Sequence, residues 1–309
     1  MPTSTAQAPL TGRDLLSIDQ LTRDELTALL DLADQLKLLQ AQGVPHRLLP
    51  GRTLAMIFQK ASTRTRVSFE VGISQLGGTA LNLSASEMQL GRGESIEDTG
   101  IVLSRYVDAI MIRARSHHDV QELADAASVP VINGLTDSHH PCQALADLQT
   151  LRERLGELEG RRLAWVGDGC NNVCHSLITA AGMMGMRVTV ATPLGYEPDP
   201  QVVAAAGDVT LVADPVEAVA DADAVVTDVW TSMGQEAERE QRIANLTPYR
   251  VDRHLLEHAP ADSIVMHCLP AHYGEEITHE ILHSERSAAW DEAENRLHAQ
   301  KALLAMVMA

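Results

Sequence analysis

A chain of 309 residues with 45% apolar content can bury full cores, and its length points to about two domains. A formal charge of -18 excludes the excess of Lys and Arg that nucleic-acid backbones require, so any bound phosphate must be met by a local basic cluster. Residues 1–14 lack the basic and apolar regions of a secretory signal, and no run approaches the ~20 apolar residues of a membrane span; a cytoplasmic location is expected. Four cysteines, Cys142, Cys170, Cys174 and Cys268, fit no disulfide framework in a chain of this length.

Thr22 and Glu25 form a capping box ahead of Leu26, Leu29, Leu30, Ala33, Leu36 and Leu39, with Gly43 as the stop, so an amphipathic helix opens the fold. Short apolar runs follow at 53–58, 80–83, 109–112, 129–132, 163–166, 188–191, 209–212, 224–227 and 264–266, separated by helical stretches. Continuous apolar strands alternating with helices predict parallel sheets covered on both faces. The charged run 151–160 (LRERLGELEG) predicts a helical bridge between two halves, 1–147 and 148–290, and 291–309 predicts a closing helix that packs back on the first. The expected class is therefore α/β, two doubly wound parallel-sheet domains with the active site in the cleft between them.

Ligands of such sheets bind beyond the carboxyl ends of strands, where this sequence places Arg113, Asp168, Asp228, and His267 with Cys268. The segment 60–66 (KASTRTR) lies between a strand and a helix. Its hydroxyls, guanidinium groups and free helix N–H groups suit a phosphate, although a capped, solvated helix start would read the same. In 140–143 (HPCQ), Pro141 fixes a first helical turn, so His140 and Gln143 point ahead of it. The stretch 166–173 (VGDGCNNV) invites a dinucleotide reading, but Asn172 stands where the third glycine belongs; Asn171 and Asn172 instead offer amides to a polar substrate, or one of them caps the helix. A zinc site can be drawn from Cys170 and Cys174 and from His267, Cys268 and His272, but it lacks the usual CxxC pairs, and buried free cysteines with a satisfied histidine are the commoner outcome.

Taken together, STRTR at 62–66, HPCQ at 140–143, DVWTSMG at 228–234, HCLPAH at 267–272 and ENRLHAQ at 294–300 resemble the aspartate and ornithine carbamoyltransferase superfamily, over nearly the whole chain from about Leu15. The third and fourth of these motifs are similar to the ornithine branch. The resemblance implies a carbamoyl phosphate domain first and an ornithine domain second, assembled as a homotrimer with shared active sites. Ser62, Thr63, Arg64 and Thr65 would hold the phosphate, and Arg113, His140 and Gln143 the carbamoyl and bridging oxygens. Cys268, Leu269 and Arg296 would complete that pocket, with Gln89 lent by a neighbouring subunit. Asn172, Asp228, Ser232 and Met233 match ornithine-binding positions, and Leu269 with Pro270 resembles a family cis peptide.

The implied reaction carries the carbamoyl group of carbamoyl phosphate to the side-chain amine of L-ornithine, giving citrulline and phosphate in arginine metabolism, with no cofactor or metal and neither nucleic acid nor membrane as partner. Arg113, His140 and Thr65 suit the developing oxyanion. Asp228 would orient the amine, and Cys268 matches a proposed proton acceptor. Sister enzymes using putrescine or an N-acylated ornithine, an NAD-dependent dehydrogenase and a silent paralogue are the alternatives. Two departures from the pattern are a short 201–214 region, which leaves its helix content open, and Tyr273 after HCLPAH where a basic residue is frequent.

Overall fold

The computed structural model describes residues 10–86, 88–89, 93–231 and 236–309. The chain divides into two compact units: residues up to Leu145 together with Arg296–Ala309, and Ala146–Asn295. Two helices cross that division along the chain, α5 (Pro141–Leu155) going out and α12 (Ala289–Val307) coming back. The bridging helix is thus longer and earlier than the charged run alone predicts, and its last residue, Leu155, lies midway through that run.

In the first unit, α1 (Arg23–Ala41) is capped reciprocally: Glu25 N–H donates to Thr22 Oγ1 at 3.2 Å and Thr22 N–H to Glu25 Oε2 at 2.9 Å. Its apolar face, Leu26, Leu29, Leu30, Ala33 and Leu36, is buried. The strands β1 (Thr53–Phe58), β2 (Thr79–Ser84), β3 (Ala109–Arg113) and β4 (Val131–Leu135) form one parallel sheet in the order β2-β1-β3-β4. Between them run α2 (Thr63–Gln75), α3 (Ile96–Leu103) and α4 (His117–Ala126), burying a core that includes Ala55, Ile57, Ile110, Ile112, Val120, Leu123 and Val131.

Two strands differ from the sequence expectation. Edge strand β2 is largely exposed rather than covered, with Leu81 at 44%. The run at 129–132 becomes a strand only after Pro130, which cannot donate to a ladder, and it extends through Asn133 and Gly134 instead. Leu15 explains the extension: it bridges Ile132, and its carbonyl accepts from Asn133 N–H at 2.9 Å while Asn133 Nδ2 donates to Leu16 O at 2.8 Å. Gly134 is needed there because a Cβ would stand 2.6 Å from Met111 Sδ.

The second unit holds β5 (Arg162–Val166), β6 (Arg187–Ala191), β7 (Val209–Val212), β8 (Ala224–Thr227) and β9 (Ile264–His267), all parallel, in the order β7-β6-β5-β8-β9. Helices α6 (Asn172–Met183), α7 (Pro200–Ala206) and α8 (Pro215–Val219) connect the first four strands, so the short 201–214 region keeps its helix, started by Asp199 as N-cap. Helices α9 (Arg239–Leu246) and α10 (Arg253–Leu256) lead to β9, and α11 (His279–Leu282) follows it. No helix among the described residues is long and apolar enough to cross a membrane. Strand order reverses between β1 and β3 in one sheet and between β5 and β8 in the other, the positions where open α/β sheets receive ligands.

Candidate active site

At the reversal in the first sheet, Phe58 pairs with Arg113, and a register shift between Ile112 and Arg113 brings Arg113 to the strand end. Helix α2 starts beside it, with Ser62 as N-cap; its hydroxyl accepts from Thr65 N–H at 3.4 Å and donates to Thr65 Oγ1 at 3.1 Å. Thr63 and Arg64 occupy the first exposed helical positions, whose N–H groups have no intrahelical acceptor. Thr65 is buried, and Arg113 Nη1 and Arg296 Nη2 each stand 3.5 Å from its Oγ1. Arg296 Nη1 also donates to Gln143 Oε1 at 2.7 Å.

His140 lies just before α5, where Pro141 sets the first turn, and it is buried. Burial first, then the guanidinium groups of Arg296, Arg113 and Arg64, hold its pKa well below the usual imidazole value. His140 is therefore neutral at physiological pH. The structure thus brings Ser62, Thr65, Arg113, His140, Gln143 and Arg296 into one cluster, with Arg64 close enough to act on His140. Gln89 is exposed after β2, its carbonyl accepting from Glu94 N–H at 3.1 Å.

At the reversal in the second sheet, Asp228 follows β8 and is buried. Each of its oxygens is held by one donor: Cys268 Sγ to Oδ1 at 3.1 Å, and Asn171 Nδ2 to Oδ2 at 2.9 Å. Asn171 is also the N-cap of α6, its Oδ1 accepting from Val173 N–H at 2.7 Å. Asn172, half-buried, is the first residue of that helix. Cys268 and Leu269 belong to this unit, on the loop after β9. Ser232 and Met233 lie outside the described residues.

The Cys268 thiol is pushed well above its ordinary pKa by burial, then by the charges of Asp228 and Glu292, with Asp147 adding to them. Its Sγ is the donor to Asp228 Oδ1. The loop bearing it is fixed from below. His267 Nδ1 accepts from Leu269 N–H at 2.9 Å, so Nε2 carries the proton and donates to Glu276 Oε1 at 3.0 Å. His267 N–H donates to Glu292 Oε2 at 2.9 Å, and the Leu269–Pro270 bond is cis, with Leu269 at φ 60°. Burial and then Asp147 raise Glu292 well above the carboxylate range.

Sequence reasoning left out the clamp by Asn171, the dyad of His267 with Glu276, and the acids Asp147 and Glu292. The first had a signal, an asparagine at a helix start; the others join residues far apart in the chain. Asp168, a strand-end candidate, is used internally instead. It pairs with Arg242, which also donates to Trp230 O and stacks 4.9 Å over the Tyr196 ring. Burial raises Asp168 to about 6 even against Arg242.

The dinucleotide alternative fails on geometry. A Cβ at Gly169 would stand 2.8 Å from both Pro198 Cδ and Tyr196 O, so the chain's own 196–198 segment occupies the close approach that a pyrophosphate would need. Cys170 is exposed and Cys174 fully buried.

An anion cluster on one α/β unit and a clamped carboxylate on another suit group transfer between two substrates, and the class is that of a transferase. The model of the aspartate/ornithine carbamoyltransferase carbamoyl-P binding domain matches residues 13–153, and that of the Asp/Orn binding domain matches 159–307. The chain is 56% identical to an ornithine carbamoyltransferase of Thermococcus kodakarensis and to the anabolic ornithine carbamoyltransferase of Pyrococcus furiosus, each over 97% of both chains. The solved Pyrococcus furiosus ornithine carbamoyltransferase superposes with a TM-score of 0.94 at 56% identity, covering 97% of this chain and 98% of that one; the Thermus thermophilus enzyme gives 0.89 at 44%, covering 96% and 99%. The chain belongs to the aspartate/ornithine carbamoyltransferase family.

Proposed function

We infer that the chain transfers the carbamoyl group of carbamoyl phosphate to the side-chain amine of L-ornithine, giving L-citrulline and phosphate in arginine metabolism. The observation that carries this reading is the arginine cluster around Thr65 and His140, a concentration of fixed positive charge in a chain of net charge -18. Ser62, Thr63, Arg64 and Thr65 receive the phosphate oxygens through hydroxyls, helix N–H groups and a guanidinium. Arg113, His140 and Gln143 meet the carbamoyl and bridging oxygens, with Arg296 behind them. Cys268 and Leu269 are read as the carbamoyl phosphate residues that the second unit carries.

Chemically, the lone pair of a neutral amine attacks the carbonyl carbon, the bond from that carbon to the bridging oxygen breaks to release phosphate, and the proton shed by the nitrogen ends on that phosphate. Guanidinium donors and neutral His140 stabilise the oxygen that gains charge. The leaving phosphate departs into the same cationic surroundings. The ornithine side chain, a lysine-like ammonium with an ordinary pKa near 10.4, must first be deprotonated. Asp228 keeps a lone pair on each oxygen beyond the two it gives to Cys268 and Asn171, so it orients an ammonium or amine. Asn172 is read as an amino-acid-binding residue, and Ser232 and Met233, outside the described residues, carry the same reading from their motif. Cys268 enters as a donor that fixes Asp228.

The enzyme is further read as a cytoplasmic homotrimer in which Gln89 serves the site of a neighbouring subunit. Its exposure supports this, as do the exposed apolar side chains Leu81, Ile101 and Val102 on the same unit. Mixing Gln89→Ala with Arg113→Ala protein under exchange should restore part of the activity; a fully active monomer by light scattering would refute shared sites. For the reaction itself, the test is citrulline formation with L-ornithine, L-lysine and putrescine at saturating carbamoyl phosphate. Ornithine should lead in kcat/KM, because putrescine leaves polar groups unpaired and lysine displaces the attacking nitrogen, where about 1 Å can cost roughly 10²-fold. Putrescine equal to ornithine would overturn the assignment.

A further inference from the structure

Beyond the cysteine loop the chain turns back on itself, Glu275 N–H donating to His272 O at 2.9 Å. This turn gathers one ligand atom each from His272, Glu275 and Glu276 within 4.8 Å of one another. Glu276 is fully buried, and its two oxygens are treated unequally. Oε1 accepts from His267 Nε2 at 3.0 Å and from His272 N–H at 2.6 Å. Oε2 has no hydrogen-bond partner among the described residues and stands 3.9 Å from His272 Nδ1. Glu275 repeats the pattern: Arg239 holds Oε1, while buried Oε2 has no hydrogen-bond partner among the described residues.

Two buried carboxylate oxygens without donors, on neighbouring residues of one compact cluster, are costly twice over, once for lost hydration and once for like charge. A cation between them and an imidazole nitrogen removes both costs. We propose that His272, Glu275 and Glu276 form a site for a divalent first-row transition cation of the zinc class, with three protein ligands and an open fourth position. Imidazole plus carboxylate is a donor set that zinc takes at tetrahedral geometry. The hydrogen bonds to Glu276 Oε1 and Glu275 Oε1 supply the outer partners that orient such ligands. His272, with its side chain 45% exposed, gives the ion a way in.

The neighbouring group of Asp228, His267 and Cys268 is also compact, but it is the poorer ligand set. Its thiol is held protonated, and both ring nitrogens of His267 are engaged, Nδ1 by Leu269 and Nε2 by Glu276. The stacked pair His279 and His283, with ring centroids 4.2 Å apart, is the surface rival.

The test is calorimetric titration of chelator-treated full-length protein with Zn²⁺, with Co²⁺ as a spectroscopic probe. One Zn²⁺ per chain should bind, and the Co²⁺ spectrum should lack a thiolate charge-transfer band. Losing an outer partner alone costs roughly 10–100-fold in affinity, so His272→Ala and Glu275→Gln, each removing a ligand, should weaken binding by more than about tenfold. Circular dichroism should confirm that both variants fold, and metal-free His272→Ala should keep its carbamoyl-transfer activity. Unchanged binding in His272→Ala and Glu275→Gln, a thiolate band that vanishes in Cys268→Ser, or loss of binding in His283→Ala alone would each overturn the site.

Discussion

The two units place opposite charge at the same topological position. Where strand order reverses between β1 and β3, Arg64, Arg113 and Arg296 surround His140; where it reverses between β5 and β8, Asp228, Glu292 and Asp147 surround Cys268. In each, burial and like-signed neighbours push buried groups toward their neutral forms, the His140 imidazole down in the first and the Cys268 thiol and Glu292 carboxyl up in the second. Guanidinium groups stand around the imidazole in the first unit, and the Asp228 side chain accepts from the thiol in the second. Neutral His140 and neutral Cys268 then act as hydrogen-bonding groups, while fixed charge is kept for ligands of opposite sign, an anion in one unit and an amine in the other.

The contrast is sharpened most by removing a buried cation from the second unit. Arg242 is buried against Asp168, and Arg242→Met leaves that carboxylate without its counter-charge, for an expected loss of about 3–5 kcal/mol in unfolding free energy. The pH dependence has a definite sign. Asp168 titrates at about 6 when folded against an ordinary 3.8, so the folded state binds its proton more tightly, and this group lowers stability as pH rises from about 4 to 6. Without Arg242 the penalty above pH 6 grows. Urea unfolding at pH 5 and pH 7.5 should therefore show a larger loss at the higher pH, and equal losses would contradict the pairing.

Asp228→Asn breaks the comparison from the ligand side. It keeps the shape but removes the charge, and kcat/KM for ornithine should fall by about 10²–10³-fold, the scale of a lost electrostatic contact to a reacting group. Carbamoyl phosphate affinity, set by the first unit, should be nearly unchanged; a parallel loss of it in calorimetry would show that the two charge centres are not separable. Arg64→Ala is the reciprocal change. It removes charge-assisted hydrogen bonds worth roughly 1.5–3 kcal/mol each, so carbamoyl phosphate affinity should drop by about 10²-fold. Unchanged affinity would deny Arg64 the phosphate role.

Much of this was legible in the sequence, for identifiable reasons. Continuous apolar runs mark buried parallel strands, so 53–58, 163–166 and 224–227 coincide with β1, β5 and β8. Capping residues announce α1 and α2. Legibility failed where the cause is non-local. Leu15 extends β4 from more than a hundred residues away, and the exposure of β2 follows from its edge position, which composition does not reveal. The carboxylates that hold Cys268 protonated lie on segments with no motif in common, and only folding places Glu292 against His267. Asn171 is the intermediate case: the sequence offered two adjacent amides, and geometry decided which one grips Asp228.

The smallest expected effect concerns a cation the first unit uses away from its anion cluster. Lys301 on α12 is fully buried, with no ion pair to a carboxylate among the described residues; its ammonium donates to Gln40 Oε1 at 2.8 Å, Gln75 Oε1 at 2.9 Å and His46 Nε2 at 3.2 Å. His46 Nδ1 lies 3.0 Å from Val44 O, which leaves Nε2 as the acceptor. Three neutral acceptors match three N–H donors, yet burial still lowers the lysine to about 8 from an ordinary 10.5. The unfolded chain therefore binds this proton more tightly than the folded one, and stability gained from this group rises as pH climbs from about 8 to about 10.5. Lys301→Met removes the titration while keeping an unbranched stem of similar length against Gly72, whose Cβ position lies 3.2 Å from Lys301 Cγ. Thermal unfolding of both proteins at pH 7.5, 9 and 10 isolates the group from every other alkaline titration, since only the difference in Tm is read. That difference, native minus variant, should grow more positive with pH by a few degrees, each 1 kcal/mol being worth about 2–4 °C in a domain of 150–250 residues. A difference that stays constant, or shrinks, would mean that the ammonium is not held at a cost and that the three acceptors fully offset its burial.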